Sequence, residues 1–181
     1  MTTLDELIAD SWFPFAGDII VKPLDDRVVP EPTRHGANPE ECRTCSRPDS
    51  DYVWTDERWR LTAYLPTPIP GIVLLEPRSH HDSFVNLPPG LLADVGPMTA
   101  RVEGVLMGLG DVARVHVNRW GDGGAHFHLW FMPRPLGMLQ LRGSMLPMWL
   151  DLLPNLDEVT ATEVLARIGA AMAVGGGTAH G

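Results

Sequence analysis

The sequence predicts an α+β domain in which an antiparallel β-sheet carries helices on one face. Beyond residue 52 the residue patterns run strand, strand, helix, strand, strand. Residues 71–77 form an unbroken apolar run, which is typical of a central strand. The chain of 181 residues, 44% of them hydrophobic, suits one domain with a substantial core, with room for an appended segment.

Two strands are predicted ahead of the main helix. Residues 54–65 contain a turn at Asp56–Glu57 and then a strand that starts at Trp59. Three prolines follow, and beyond them the apolar run at 71–77 predicts the central strand.

The main helix is predicted over Pro88–Leu109, with Pro88 or Pro89 opening it. Its rough apolar stripe consists of Leu91, Leu92, Val95, Val102, Leu106 and Leu109. Pro97 is expected to kink this helix or split it in two. Residues 112–120 then alternate as a strand, with valines on one side and polar side chains on the other.

Segments on both sides extend this arrangement. Residues 3–9 predict a short helix and residues 18–22 a strand. Residues 23–50 are rich in Pro and charged side chains and predict a long loop, which needs something such as a metal to hold it. After the sheet, residues 136–153 are apolar and Met-rich and predict a partly helical cover.

The end of the chain predicts one more helix and a tail. Asn155 or Thr160 is expected to cap a helix that continues to Ala173. The glycine-rich residues 174–181 are predicted to be disordered.

Charge and hydropathy exclude some classes of protein. The net charge of -9 argues against a sequence-independent grip on a nucleic-acid polymer, although a local site for a nucleotide is compatible with it. The acidic N-terminal residues do not form a secretory signal, and no apolar run is long enough for a membrane helix. We therefore expect a cytoplasmic protein that does not bind membranes.

Two histidines stand out in the stretch GDGGAHFHLWFMPRP, residues 121–135. At strand spacing His126 and His128 point the same way, with Trp130 and Met132 next in that row. Phe127, Leu129 and Phe131 are expected to line the opposite face and anchor it in a core. Two imidazoles beside a glycine loop suit metal or phosphorus chemistry. The alternative is a buried strand whose two histidines are merely hydrogen-bonded.

The two cysteines, Cys42 and Cys45, form a C-x-x-C pair in the long loop. A redox pair or two buried thiols are alternatives, but the flanking residues predict no βαβ setting for a dithiol. Zinc prefers Cys sulfur and His nitrogen in a closed tetrahedral site, and two thiolates with two neutral imidazoles make such a site. Zinc there would tie the loop to the sheet. The candidate imidazoles are His80 or His81, together with His126, whereas His35 and His116 are less well placed.

Four stretches together resemble the histidine-triad (HIT-like) superfamily of nucleotidyl hydrolases and transferases. They are CRTC at 42–45, PGIVLLEPRSHH at 70–81, VHVNRWG at 115–121 and HFHLWFMPR at 126–134. Their order and approximate spacing are similar to the superfamily pattern, and the Pro-Arg pair after the apolar residues sets the register. In that register His126 is the first motif histidine, His128 the second, and Trp130 replaces the third.

The resemblance implies a role for each matching residue. His128 becomes the nucleophile, and the similar zinc-bearing branch, which includes galactose-1-phosphate uridylyltransferases, places structural Zn²⁺ on Cys42, Cys45, His80 and His126. Asn118 matches an asparagine at the nucleotide site. The resemblance also implies an N-terminal extension at 1–41, a HIT-like core at 42–135, the cover at 136–173 and the tail at 174–181.

The predicted function is nucleotidyl hydrolysis or transfer at the α-phosphate of a small-molecule nucleotide, through a covalent nucleotidyl-His128 intermediate. Substrate contacts are expected from Asn118, Gly123, Gly124, Trp130 and Arg134. The group that protonates the leaving group is not assigned. The indole of Trp130 only donates a hydrogen bond, and Asp122–Ala125 stand where hydrolases carry a polar segment. The second-ranked function is a zinc-stabilised protein that binds a nucleotide or another ligand without turnover. The third is a different reaction catalysed at the zinc ion. The apolar cover suits either a homodimer surface or packing on its own chain.

Overall fold

A computed structural model of the chain describes residues 13–15, 20 and 22–180. Within them lie six strands and four α-helices. The strands are β1 (Trp54–Thr55), β2 (Trp59–Ala63), β3 (Val73–Pro77), β4 (Val112–Asn118), β5 (Leu129–Pro135) and β6 (Thr178–Ala179). The helices are α1 (Arg43–Ser46), α2 (Pro89–Met107), α3 (Met145–Leu150) and α4 (Glu158–Val174).

The six strands form one sheet in the order β4-β5-β3-β2-β1-β6, and every neighbouring pair is antiparallel. β3 lies between β2 and β5, as its continuous apolar sequence predicts. The turn between β1 and β2 forms where Asp56 accepts hydrogen bonds from the amides of Arg58 and Trp59. These findings confirm the predicted α+β class and the central strand.

The two long helices α2 and α4 cover one face of the sheet. Leu75, Phe127 and Phe131 are buried there against helix residues such as Val102 and Ile168. Side chains alternate along a strand, so Met132 points to the opposite face, where the cover packs. The cover contains α3, and its Leu141 and Leu146 are buried against Ile69, Ile72 and Met132. The apolar cover therefore packs on its own chain.

Helix α2 runs through Pro97 without interruption. Pro89 occupies its first turn, where a missing N–H costs nothing, and Leu91, Met98, Val102 and Leu106 form its buried stripe. Pro97 removes one hydrogen bond, but burial of that stripe holds the helix as a single element, so the predicted split does not occur.

The C-terminal segment differs from its prediction in two ways. Asp157 caps α4, because its carboxylate accepts a hydrogen bond from the amide of Thr160 at 2.9 Å. Residues 178–180 of the tail are ordered, since Thr178 and Ala179 pair with β1 and the imidazole of His180 lies 2.9 Å from the Thr55 hydroxyl. The predicted disordered tail is corrected on this point. A free edge of β1 offered main-chain partners that glycine content does not reveal.

The N-terminal predictions are only partly covered by the structure. The predicted helix at 3–9 lies outside the described residues, as do residues 18, 19 and 21 of the predicted strand at 18–22. The predicted loop at 23–50 is confirmed, although α1 forms one helical turn at the cysteine pair. Among the described helices, none has both the length and the apolar character needed to cross a membrane.

Candidate functional site

Four side chains converge in a cluster with the donor set of a structural zinc site. The Sγ of Cys42 lies 3.4 Å from Nδ1 of His126, and the Sγ of Cys45 lies 3.5 Å from Nδ1 of both His126 and His80. All four ligand atoms lie within 4.8 Å of one another. Zinc–sulfur and zinc–nitrogen bonds of about 2.3 and 2.0–2.1 Å place tetrahedral ligands about 3.5 Å apart. The cluster therefore fits Zn²⁺.

The four ligands are placed by three parts of the chain. Cys42 precedes α1 and Cys45 lies inside it, so one helical turn brings both sulfurs to the same side. His80 follows the end of β3, and His126 precedes β5. The carbonyl of Pro77, the last residue of β3, accepts a hydrogen bond from Nε2 of His126 at 2.8 Å. Because a carbonyl only accepts, Nδ1 of His126 keeps its lone pair for a metal.

The electrostatics of the cluster also favour a cation. Burial, and next the hydrogen bond with the Cys42 thiol, raises the pKa of Cys45 to about 11. Two thiols this close ionise together only when a positive ion joins them. Burial lowers the pKa of His126 to about 4, so its imidazole is in the neutral form that binds metals.

The other histidines lie apart from the cluster. His81 is within 2.9 Å of the Ser79 hydroxyl, and His35 pairs with the glycine loop. His116 lies on β4, where burial lowers its pKa. Of the two neighbouring candidates in the sequence, His80 is the one whose ring reaches the sulfurs.

His128 lies beside this cluster, in a cleft of about 880 Å³. Its Nδ1 donates a hydrogen bond to the carbonyl of His126 at 2.8 Å. The cleft is lined by residues 33–38, 41–44, Leu74, Glu76, Trp120, Gly123, Gly124, His126, His128 and Trp130. Strand β5 begins only at Leu129, so both histidines belong to the extended segment that leads into it.

Burial keeps the His128 ring neutral. Burial is the largest of the effects that lower the pKa of His128, and the charge of the nearby Arg119 guanidinium lowers that pKa further. The carbonyls of His126 and Trp120 and the Asp82 carboxylate act in the opposite direction. The balance leaves a neutral imidazole facing the cleft.

The glycine loop that precedes His126 is held by the N-terminal segment. The amide of His35 donates to the carbonyl of Gly123 at 3.3 Å, and the amide of Ala125 donates back to the carbonyl of His35 at 2.8 Å. No described residue accepts a hydrogen bond from the amides of Gly123 or Gly124. These two N–H groups are therefore available to an anion.

Arg34 ties the same loop to the segment that follows β3. Its guanidinium donates to the carbonyl of Gly121 at 2.6 Å and to a carboxylate oxygen of Asp82 at 2.9 Å. The hydrogen bonds from Arg34 hold the pKa of Asp82 below its ordinary value. Residues assigned by sequence to an extension thus form one wall of the cleft.

Trp130 forms part of the opposite wall. Its ring meets those of Tyr64 and Trp120 edge to face, with centroids 5.0 and 5.8 Å apart. Its centroid lies 6.3 Å from that of the His128 ring. The indole therefore occupies the space next to the second motif histidine, and it also packs against the smaller core cluster.

Two residues predicted to contact substrate do not line this cleft. Asn118 lines a neighbouring cavity with His116 and Ser144, and it pairs with Trp130 across β4 and β5. Arg134 donates to the carbonyls of Pro135 and Met138. At about 3.3 Å per residue, Arg134 is roughly 20 Å along the strand from His128. The structure therefore places Arg134 away from His128, whereas strand pairing places Asn118 beside Trp130.

Two residues of the cleft went unnoticed in the sequence. Glu76 on β3 is buried, 7% exposed, and its Oε2 has no hydrogen-bond partner among the described residues. It is the one charged residue in an otherwise apolar central strand, and that contrast was a usable signal. Arg34 had no such signal, because its partners lie 48 and 87 residues away.

A second cavity of about 960 Å³ lies at the opposite end of the sheet, beside β1 and β6. Its arginines are already engaged. Arg78 is paired with Asp49 at 2.6 Å, and Arg101 donates to the carbonyl of Gly176 at 2.7 Å. The arginines of this cavity are paired, and its lining contains no cysteine–histidine cluster. It therefore offers fewer groups for binding or catalysis than the His128 cleft, despite its larger volume.

The fold is similar to that of several solved histidine-triad proteins. A hypothetical histidine triad nucleotide-binding protein from Sulfolobus tokodaii matches with a TM-score of 0.56 and 14% identity, covering 72% of this chain and 91% of that one. A Zn-bound histidine triad family protein from Mycobacterium smegmatis matches at 0.54 and 19%, covering 75% and 98%. One from Marinobacter aquaeolei matches at 0.53 and 18%, covering 67% and 87%.

These matches establish the fold, since the TM-scores exceed 0.5. They establish nothing beyond the fold, because the identities are below 20%. The sequence matches no protein-family model and no curated protein. The expected histidine-triad fold is confirmed, and the four-residue cluster has the composition of a structural zinc site.

Proposed function

We propose that this protein, built on the histidine-triad fold, is a nucleotidyl hydrolase or transferase that works through a covalent bond between His128 and the α-phosphorus of a nucleotide. The substrate class is a small nucleotide with a leaving group on that phosphorus: a dinucleoside polyphosphate, a nucleoside phosphoramidate or a nucleotide sugar. Two features support the proposal: the tautomer of His128 and its place in the cleft.

The observation that carries the proposal is the 2.8 Å hydrogen bond from Nδ1 of His128 to the carbonyl of His126. Because the carbonyl accepts, Nδ1 carries the hydrogen and Nε2 keeps a lone pair. A neutral imidazole held in this orientation is a capable nucleophile, and a covalent intermediate divides one hard displacement into two easier ones.

The remaining parts of the cleft have defined tasks in this scheme. The free amides of Gly123 and Gly124 are suited to stabilise charge on the phosphoryl oxygens during attack. Cys42, Cys45, His80 and His126 would hold the structural zinc, which leaves His126 out of proton transfer. With all four positions taken by protein ligands, a metal there supplies rigidity rather than an open coordination site.

The test is to trap the intermediate. Wild-type protein is mixed with radiolabelled dinucleoside polyphosphate or nucleoside phosphoramidate, quenched, and mapped by mass spectrometry. We expect a nucleotidyl adduct on His128 and its loss in His128→Ala, with turnover falling by about 10³-fold or more. The control is His35→Ala, which removes another histidine of the same cleft and should retain the adduct. An adduct that persists in His128→Ala contradicts the assignment.

Trp130 favours a second candidate, a zinc-stabilised protein that binds nucleotides without turnover. An indole donates a hydrogen bond but does not transfer a proton, and here it fills the position next to His128. In that case nucleotides would raise the melting temperature of both wild type and His128→Ala, and no adduct would form in either.

A further inference from the structure

Glu76 and His128 are each one residue from the last residue pair that joins β3 and β5. Leu74 pairs with Trp130 and Leu75 with Leu129 across β3 and β5, so the register continued by one residue would place Glu76 across from His128. Directly opposed residues of antiparallel strands have Cβ atoms about 5 Å apart and project to the same face. Both side chains line the same cleft, which agrees with this placement.

The surroundings of Glu76 leave one carboxyl oxygen for a ligand. Oε2 is buried and has no partner among the described residues. Arg60 is its neighbour on β2, but the Arg60 guanidinium is turned to Asp49, to the Tyr52 hydroxyl and to the carbonyl of Thr44. Arg47 donates to Thr62. A buried oxygen without a partner is costly, and a hydrogen-bonding group on a bound substrate would relieve that cost.

We propose that Glu76 is the acid that protonates the leaving group in the reaction at His128, a task for which Trp130 has no suitable group. This inference rests on the proposed function and adds the proton donor that it lacks. Glu76 approaches the reacting phosphorus from the neighbouring strand instead of from β5.

The two half-reactions balance as follows. The Nε2 lone pair of His128 forms a bond to the α-phosphorus, and the bond from phosphorus to the bridging oxygen or nitrogen breaks. The leaving atom takes that electron pair and receives the proton of the Glu76 carboxyl. In the second step the Glu76 carboxylate takes a proton from water or from an acceptor hydroxyl. That oxygen attacks phosphorus, and the phosphorus–nitrogen electron pair returns to Nε2.

The protonation state of Glu76 suits this task. Burial raises the pKa of Glu76 to about 7, while the charges of Arg47 and Arg60 oppose that shift. A carboxyl that holds its proton near neutral pH is an effective general acid, since both of its forms are then populated.

The test compares leaving groups that differ in their need for a proton. Nucleoside 5′-phosphoramidates require protonation of the departing nitrogen, whereas nucleoside 5′-(4-nitrophenyl) phosphates release a stable anion without it. Both series would be prepared with each of the four common ribonucleosides. We expect Glu76→Gln to slow phosphoramidate turnover by about 10²- to 10³-fold and to change 4-nitrophenyl ester turnover by less than about threefold.

Glu103→Gln is the matched control, because Glu103 is an exposed glutamate on α2 that does not line the cleft. It should behave as wild type with both series, and the zinc content of all three proteins should be equal. Equal slowing of both series by Glu76→Gln, or no slowing of either, overturns the role of Glu76 while the adduct on His128 still stands. If wild type forms no adduct with either series, the proposed function itself fails, and the role of Glu76 fails with it.

Discussion

At the scale of single residues, the cleft is defined by groups whose neighbours set their chemistry. His128 is neutral because it is buried, and the carbonyl of His126 selects its tautomer. Glu76 holds its proton for the same reason, burial, in a strand whose other side chains are apolar. Burial thus gives both groups the protonation states that the proposed nucleophile and the proposed acid require.

The buried carboxyl of Glu76 predicts a pH-dependent stability. Burial raises the pKa of Glu76 from 4.5 to about 7. Between these two values the unfolded carboxyl is ionised while the folded one still holds its proton, so the free energy of unfolding falls as pH rises and levels off above pH 7 or so. Glu76→Gln removes this loss. We expect the variant to gain roughly 1–3 kcal/mol relative to wild type between pH 5.5 and pH 8.

Urea unfolding at a series of pH values measures this difference. Glu41→Gln, at the exposed rim of the same cleft, should follow wild type throughout. A constant offset between Glu76→Gln and wild type across the range would contradict the buried, protonated carboxyl.

At the scale of elements, the two terminal segments complete the sheet and the cleft. β6 covers the edge of β1, and the Trp54 indole donates to the carbonyl of Gly176 at 2.9 Å. Residues 33–38 run along the glycine loop and form a cleft wall. Both segments are far in sequence from their partners, so their contacts are long-range and are not predicted by local sequence patterns.

The approach of the tail to Trp54 predicts a pair of contrasting substitutions. Gly176 and Gly177 both have positive φ, +100° and +85°, so alanine is strained at either. A Cβ at Gly177 would lie 2.5 Å from the buried Trp54 ring, whereas one at Gly176 meets no atom within 4 Å. We expect Gly176→Ala to lose about 1 kcal/mol and Gly177→Ala about 1–3 kcal/mol more, by chemical denaturation. Equal losses would mean that the tail does not pack on Trp54.

At the scale of the whole molecule, the cysteine–histidine cluster joins three parts of the chain. The long loop supplies Cys42 and Cys45, the segment after β3 supplies His80, and the segment before β5 supplies His126. A metal there fastens the loop to two central strands and fixes the backbone carbonyl that orients His128. A homodimer stays a prediction; Leu136, Met138 and Leu139 in the cover are exposed and suit one.

Metal analysis of two neighbouring histidine variants tests the cluster. His80→Ala removes a ligand and should lose most of its zinc, with a fall in melting temperature of roughly 10 °C. His81→Ala alters the adjacent side chain, which contacts Ser79, and should keep one zinc ion per chain. Similar zinc content in the two variants would rule out His80 as a ligand.

Much of the candidate site was predictable from local patterns and from the family resemblance. The C-x-x-C pair, His80 and His126 were chosen by ligand chemistry and by resemblance, and the structure brings their atoms together. The central strand and the main helix followed from hydrophobic periodicity. Arg134 donates to carbonyls of its own segment instead of lining the cleft, and strand spacing alone does not reveal that. The substrate contact of Asn118, which pairs with Trp130, stays a prediction.

The sequence by itself predicted the class of fold and a cysteine–histidine metal site, because these depend on residue type and on spacing within short stretches. The choice of His80 as the fourth ligand and of His128 as the proposed nucleophile came from the family resemblance. Only the tertiary structure decided what surrounds them. Pairing of β3 with β5 brought Glu76 and His128 into one cleft, burial set the protonation of both, and the N-terminal segment closed one wall of the cleft. Register, burial and long-range pairing arise from contacts between distant segments, and therefore appear only once the chain has folded.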